Sequence, residues 1–74
     1  MARIEKLLQK MKNRPNGITL EEIEKVLRHY GYILVRVKGS HHHYRSQAGE
    51  LITIPKHNPL KAVYVKDVLE RIGE

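Results

Sequence analysis

Tyr32-Ile33-Leu34-Val35-Arg36-Val37-Lys38-Gly39-Ser40-His41-His42-His43-Tyr44-Arg45 is the stretch whose reading decides the fold of this chain. At Tyr32 the apolar spacing changes from a helical period to a period of two. Ile33, Val35 and Val37 alternate with Leu34, Arg36 and Lys38, which predicts a half-buried strand with a cationic open face. Gly39-Ser40 permits a bend, and His42 to Arg45 reads as a second strand. Ser46 to Gly49 reads as a hairpin loop, with Gly49 available for positive φ. A third strand is predicted from Glu50 to Ile54, with Ile52 and Ile54 inward, ended by Pro55.

Outward from this core of strands, both flanks read as helix. Ile4, Leu7, Leu8 and Met11 fall at i, i+3, i+4 and i+7, one apolar stripe of a helix from residue 3 to about 12. Asn13 to Gly17, with Pro15 and an Asn-Gly pair, forms a loop. Thr19 opens a second helix through a capping box with Glu22, and Ile18 and Ile23 are spaced as a hydrophobic staple. Leu20, Ile23, Leu27 and Tyr30 give its buried stripe, with Gly31 as left-handed stop. After the third strand comes a loop holding Asn58-Pro59. The last helix is predicted from about Val63 to Ile72, burying Val65, Val68, Leu69 and Ile72, with Gly73 closing it. The order is helix, helix, three antiparallel strands, helix. An α+β sandwich of two layers follows, with the helices on one sheet face. The other face then displays Arg36, Lys38 and, depending on register, His41, His43 and Arg45.

Seventy-four residues allow one domain and one modest core. Without cysteine there is neither a disulfide nor a thiolate metal site. That usage fits a reducing compartment. A bound partner is the remaining kind of stabiliser. The net charge of +6 is uneven: residues 1–17 carry five basic and one acidic residue, residues 32–66 six basic and one acidic, residues 18–31 and 67–74 an acidic surplus. A polyanionic ligand near the histidines is favoured over charge kept for solubility alone. No apolar run approaches the roughly 18 to 20 residues of a membrane span, and the N-terminus lacks the apolar core of a signal peptide. A soluble, cytoplasmic protein is expected.

Five elements of sequence resemble the HicA family of bacterial and archaeal toxins. They are Gly31-Tyr32 before the first strand, Lys38-Gly39-Ser40-His41 at the bend and Tyr44-Arg45 in the second strand. Ile54-Pro55-Lys56-His57 follows after the third, and Val68-Leu69-Glu70-Arg71-Ile72-Gly73 forms the closing helix. The resemblance covers about three quarters of the chain. It implies a double-stranded-RNA-binding-domain-like fold over residues 18–74, preceded by an extra helix and loop over residues 1–17, in one compact unit. It also implies mRNA cleavage, restraint by a HicB-type antitoxin, and a single catalytic histidine, here His41.

The chemistry fits the residues. RNA carries its own nucleophile, the ribose 2′-hydroxyl. A cleaving protein has to move a proton and offset charge on the phosphorane, without needing a serine, a metal or another cofactor. One imidazole near its ordinary pKa of about 6.5 does the first; cations and backbone amides at a Gly-containing bend do the second. His41 with Lys38, Arg45 and the Gly39-Ser40 backbone meets that list, and Arg36, Lys56 and His57 extend it as RNA contacts. On the residues alone a solvated strand-end histidine outweighs catalysis at His41; the resemblance reverses that order. His42 shares its side with Tyr44 and is expected against the helices. His43 shares the outer face with His41, as a second proton carrier, an RNA contact or a plain surface residue. His57 either bonds near the site or anchors its loop, the latter preferred. His29 is ordinary at a helix C-terminus. Zinc on His41 and His43 is disfavoured because no carboxylate or cysteine completes the set. Four tyrosines, with Tyr30 and Tyr44 read as core, argue against base stacking. Two rivals stand beside the nuclease. One is a non-catalytic RNA-binding module of the same fold. The other is a winged-helix-like DNA binder, weakened by Glu21, Glu22 and Glu24 on the helix it would insert.

Overall fold

A capping box and glycine stops bound the helices after the first, and cross-strand pairing fixes the sheet. The computed structural model describes residues 3–57 and 59–74; Asn58 of the expected Asn58-Pro59 loop lies outside the described residues, as do Met1 and Ala2. Helix α1 spans Arg3–Asn13 and is followed by a 3₁₀ turn at Pro15–Gly17. Helix α2 spans Leu20–His29, and strands β1, β2 and β3 span Ile33–Lys38, His41–Arg45 and Leu51–Pro55. Helix α3 spans Ala62–Arg71. Among the described residues no helix is long and apolar enough to cross a membrane.

The capping box at α2 is complete. The Glu22 amide donates to Thr19 Oγ1 at 3.2 Å, and the Thr19 amide donates to Glu22 Oε1 at 3.0 Å. At the other end Gly31 takes φ +87°. The Tyr32 amide then reaches the Leu27 carbonyl at 2.9 Å and the Gly31 amide the Arg28 carbonyl at 3.1 Å. These are the two bonds of a Schellman motif. Tyr32 and Leu27 are both buried, so the stop also adds to the core. Helix α3 closes the same way, with the Glu74 amide on the Leu69 carbonyl.

The sheet is antiparallel throughout, in the order β1-β2-β3. Tyr44, Ile52 and Ile54 form its covered face and share one core with Ile23, Val26 and Leu27 of α2 and Val65 and Val68 of α3. Leu8 and Met11 of α1 join that core. So does Leu60, whose amide donates to the Ile18 carbonyl and ties two loops together. The architecture is therefore α+β, consistent with the double-stranded-RNA-binding-domain-like fold expected, with helices on one sheet face and the other face open.

Strand β1 departs from the simple alternation. Leu34 pairs with Tyr44 but Arg36 with His43, so Val35 is an extra residue, a β-bulge. Directly paired residues share a face. Leu34 and Val37 therefore lie on the side of Tyr44 and His42, while Ile33, Arg36 and Lys38 lie on the side of Arg45, His43 and His41. Ile33 and Val35 were expected inward; the bulge turns them to the open face. The strand also overhangs the helices: all six residues are exposed, Ile33 at 61% and Val37 at 51%. Alternation predicted its cationic face correctly and its burial incorrectly, because the helices stop short of this edge.

Candidate nucleic-acid interface

The Gly39-Ser40 bend sets the site. Lys38 pairs with His41, which leaves a two-residue hairpin loop. Gly39 has φ +60° and no non-glycine residue among the described residues has positive φ, the sign pattern of a type II′ turn. A Cβ at Gly39 would meet open space, so the backbone angle, not crowding, reserves the position for glycine. The Ser40 carbonyl accepts from the Lys56 amide and from His42 Nδ1 (3.3 Å), which pins the turn to the end of β3. The Gly39 and Ser40 amides have no partner among the described residues.

From this turn the open face runs in three cross-strand rows. Lys38, His41 and Pro55 form the first, Arg36, His43 and Thr53 the second, and Ile33, Arg45 and Leu51 the third. Every second residue of β2 thus contributes a nitrogenous side chain to one surface. His41 is exposed and its imidazole makes no hydrogen bond among the described residues. His43 is half-buried, its Nδ1 2.8 Å from Thr53 Oγ1. His42 pairs with Ile54 on the helix side, half-buried, as expected. His57 Nδ1 donates to the Pro59 carbonyl at 3.0 Å, the loop-anchoring arrangement. His29 is exposed and packs edge-on to Tyr30.

The charge of this face is one-sided. Among the described residues every ion pair lies elsewhere: Lys10–Glu22, Lys12–Glu74, Arg28–Glu24 and Arg71–Asp67. Arg36, Lys38, Arg45 and Lys56 have no carboxylate partner there. Glu50, the one acidic residue between positions 32 and 66, accepts from the Tyr32 hydroxyl at 3.0 Å. Behind the face, Tyr44 is fully buried and its hydroxyl donates to Glu24 Oε2 at 2.7 Å. Burial first, and the Glu24 carboxylate second, push its phenol well above the ordinary 10.0. It is a fixed strut beneath the imidazoles. Among the described residues no three His, Cys, Asp or Glu side chains converge as a metal-binding group.

Arg36, Lys38, Gly39, Ser40, His41, His43 and Arg45 therefore meet on one surface, and the Lys56 amide is tied to its turn. Sequence reasoning missed Thr53, which holds His43, and the apolar pair Val35 and Leu51. These two line a shallow depression with Arg36, His43 and Arg45. Thr53 alternates with Ile52 and Ile54, so its face was predictable; its partner depended on the β2–β3 register.

A family model described as the HicA toxin of bacterial toxin-antitoxin systems matches residues 20–74. No curated protein and no solved structure matches the chain.

Proposed function

Because this chain belongs to the HicA toxin family, the toxin half of a bacterial toxin–antitoxin pair, we propose that it is an endoribonuclease that cleaves mRNA without a metal. His41 moves the proton. It takes the 2′-hydroxyl proton as that oxygen attacks the adjacent phosphorus. Lys38, Arg45 and the unpartnered Gly39 and Ser40 amides offset the charge on the phosphorane. Arg36, Lys56 and His57 hold flanking RNA, and His43 stands beside His41 on the same face. Its workplace is the cytoplasm, where mRNA is found, and its restraint is a HicB-type antitoxin seated over the same cationic face. The apolar β1 residues left exposed beside that face support such a partner. Residues 1–17 act as an accessory helix and loop to the domain of residues 18–74.

The observation that carries this reading is the placement of His41 and His43 among unpaired cations on a face without an acid. One observation favours the rival, a non-catalytic RNA-binding module: His41 has no partner to orient its ring. The test incubates wild type and His41→Ala with a long RNA in excess EDTA and analyses the fragment ends. Cleavage by wild type alone, leaving 2′,3′-cyclic phosphate ends, is expected. Salt-sensitive RNA binding by both proteins with no cleavage by either would leave only the binding module.

A further inference from the structure

Resting on the nuclease reading, we propose that His43 is a second catalytic residue, the general acid that protonates the leaving 5′-oxygen opposite His41. In-line cleavage forms the bond from the 2′-oxygen to phosphorus and breaks the bond from phosphorus to the 5′-oxygen. A proton leaves the first oxygen and another must reach the second. The two oxygens sit on opposite sides of the phosphorus, so one imidazole on one side serves one of them at a time. His41 accounts for the first transfer and leaves the second without a donor.

Three observations assign the second transfer to His43. It lies on the face and strand of His41, two residues on, which sets their Cα atoms about 7 Å apart along the strand. A phosphate between them meets one imidazole on each side. Secondly, His43 is the ring of this pair whose orientation is fixed: Nδ1 is spent on Thr53 Oγ1 at 2.8 Å, and Nε2 is left without a partner among the described residues. In the imidazolium form Nδ1–H donates to the Thr53 hydroxyl and Nε2–H is the proton delivered. Thirdly, His43 borders the depression formed by Val35, Arg36, Arg45 and Leu51. That depression offers two apolar side chains for the leaving nucleoside and two guanidiniums for its next phosphate.

The step balances. Neutral His41 takes the 2′-hydroxyl proton and becomes imidazolium. Imidazolium His43 gives its Nε2 proton to the 5′-oxygen and becomes neutral. The products are a 2′,3′-cyclic phosphate and a 5′-hydroxyl, and exchange with water restores both rings. Around His43 stand Arg36 on β1, Thr53 on β3, and His41 and Arg45 on β2. None is a carboxylate, so no acid anion on this face competes for its proton. Thr53 is a positioning residue.

The experiment uses a leaving group that needs no proton. A cleavage site is mapped on long RNA with wild type. A short RNA containing it is then made with either the natural 5′-oxygen or a 5′-bridging sulfur at the scissile bond. Single-turnover rates are measured in EDTA for wild type, His43→Gln, Thr53→Val and His41→Ala. His43→Gln is expected to lose roughly 10²-fold or more on the oxygen substrate and to cleave the sulfur substrate near the wild-type rate. Thr53→Val keeps the imidazole and should show a smaller loss with the same sparing by sulfur, which also covers any folding defect in His43→Gln. His41→Ala should fail on both. An equal loss of His43→Gln on both substrates, or no loss on either, overturns the proposal and makes His43 an RNA contact or a surface residue. Wild type inert on long RNA overturns the nuclease reading beneath it, an outcome distinct from the other two.

Discussion

Tyr44 lies one position beyond His43 on β2 and points the other way, into the core. A phenol buried there needs an acceptor, and Glu24 reaches in from α2 to supply one. Tyr44→Phe keeps the ring and removes the bond. Glu24 retains Arg28 at 3.6 Å, so the carboxylate is not stranded and the cost should fall near the low end for a charged hydrogen bond, about 1–2 kcal/mol by urea unfolding. The pH dependence has a definite sign. Burial and Glu24 raise the folded phenol above its ordinary 10.0. Its contribution is therefore complete below pH 10 and is lost as pH rises through the folded value. Tyr30 and Tyr32 are raised in the same direction, by burial first and then by Glu74 and Glu50. Wild type should lose stability steeply above pH 10, and Tyr44→Phe less so. An unchanged alkaline slope in the variant would show that Tyr44 is not among the groups that titrate on unfolding.

Helix α2 depends on its first turn in a way that can be isolated. Thr19→Ala removes the acceptor of the Glu22 amide and should cost about 1 kcal/mol. Burial alone would raise the Glu22 carboxyl, but its bonds to Lys10 and the Thr19 amide outweigh burial and hold it below 4.5. The sign is opposite to that of Tyr44: the stabilisation is present above pH 4.5 and lost as pH falls through the folded value. Glu22→Gln keeps an acceptor for the Thr19 amide but gives up the Lys10 ion pair (2.7 Å), so its stability should respond less to acid than wild type. Parallel acid curves for the two proteins would dismiss Glu22 as a contributor. This helix was legible in the sequence because caps and stops are local chemistry, fixed by Thr19, Glu22 and Gly31 within a few residues. Strand β2 was legible for the same kind of reason, since strict alternation puts His41, His43 and Arg45 together whatever lies beside them. Strand β1 was not. The extra residue at Val35 is fixed by how its neighbours pair with Tyr44 and His43 on the next strand, and its exposure by where helices distant in sequence end. Leu60 and Thr53 escaped similarly, since each takes its role from a partner on another element.

Across the whole molecule, charge is sorted by layer. Among the described residues the helical layer ties part of its charge into four ion pairs, between side chains of α1, α2, α3 and the C-terminal residue, whereas the sheet face keeps its cations unpaired. Net charge attracts RNA from a distance and says nothing about which side it docks on. Unpaired cations on one face do, because only phosphates seated there release counterions. Binding by the His41→Ala protein, measured from low to high salt on an unstructured RNA, should therefore show a steep log–log slope. Arg36→Gln, Lys38→Gln and Arg45→Gln should each flatten it by about 0.7, the single-strand value for one phosphate contact. Lys25→Gln makes the same change in net charge on the exposed side of α2, beside Lys6 and Lys10, and should leave the slope as it is. If Lys25→Gln flattened the slope as much as Arg36→Gln, attraction would come from net charge, and the sheet would lose its claim to be the docking face. If only the sheet variants flatten it, RNA lies across β1 and β2, where each phosphate passes within reach of an imidazole.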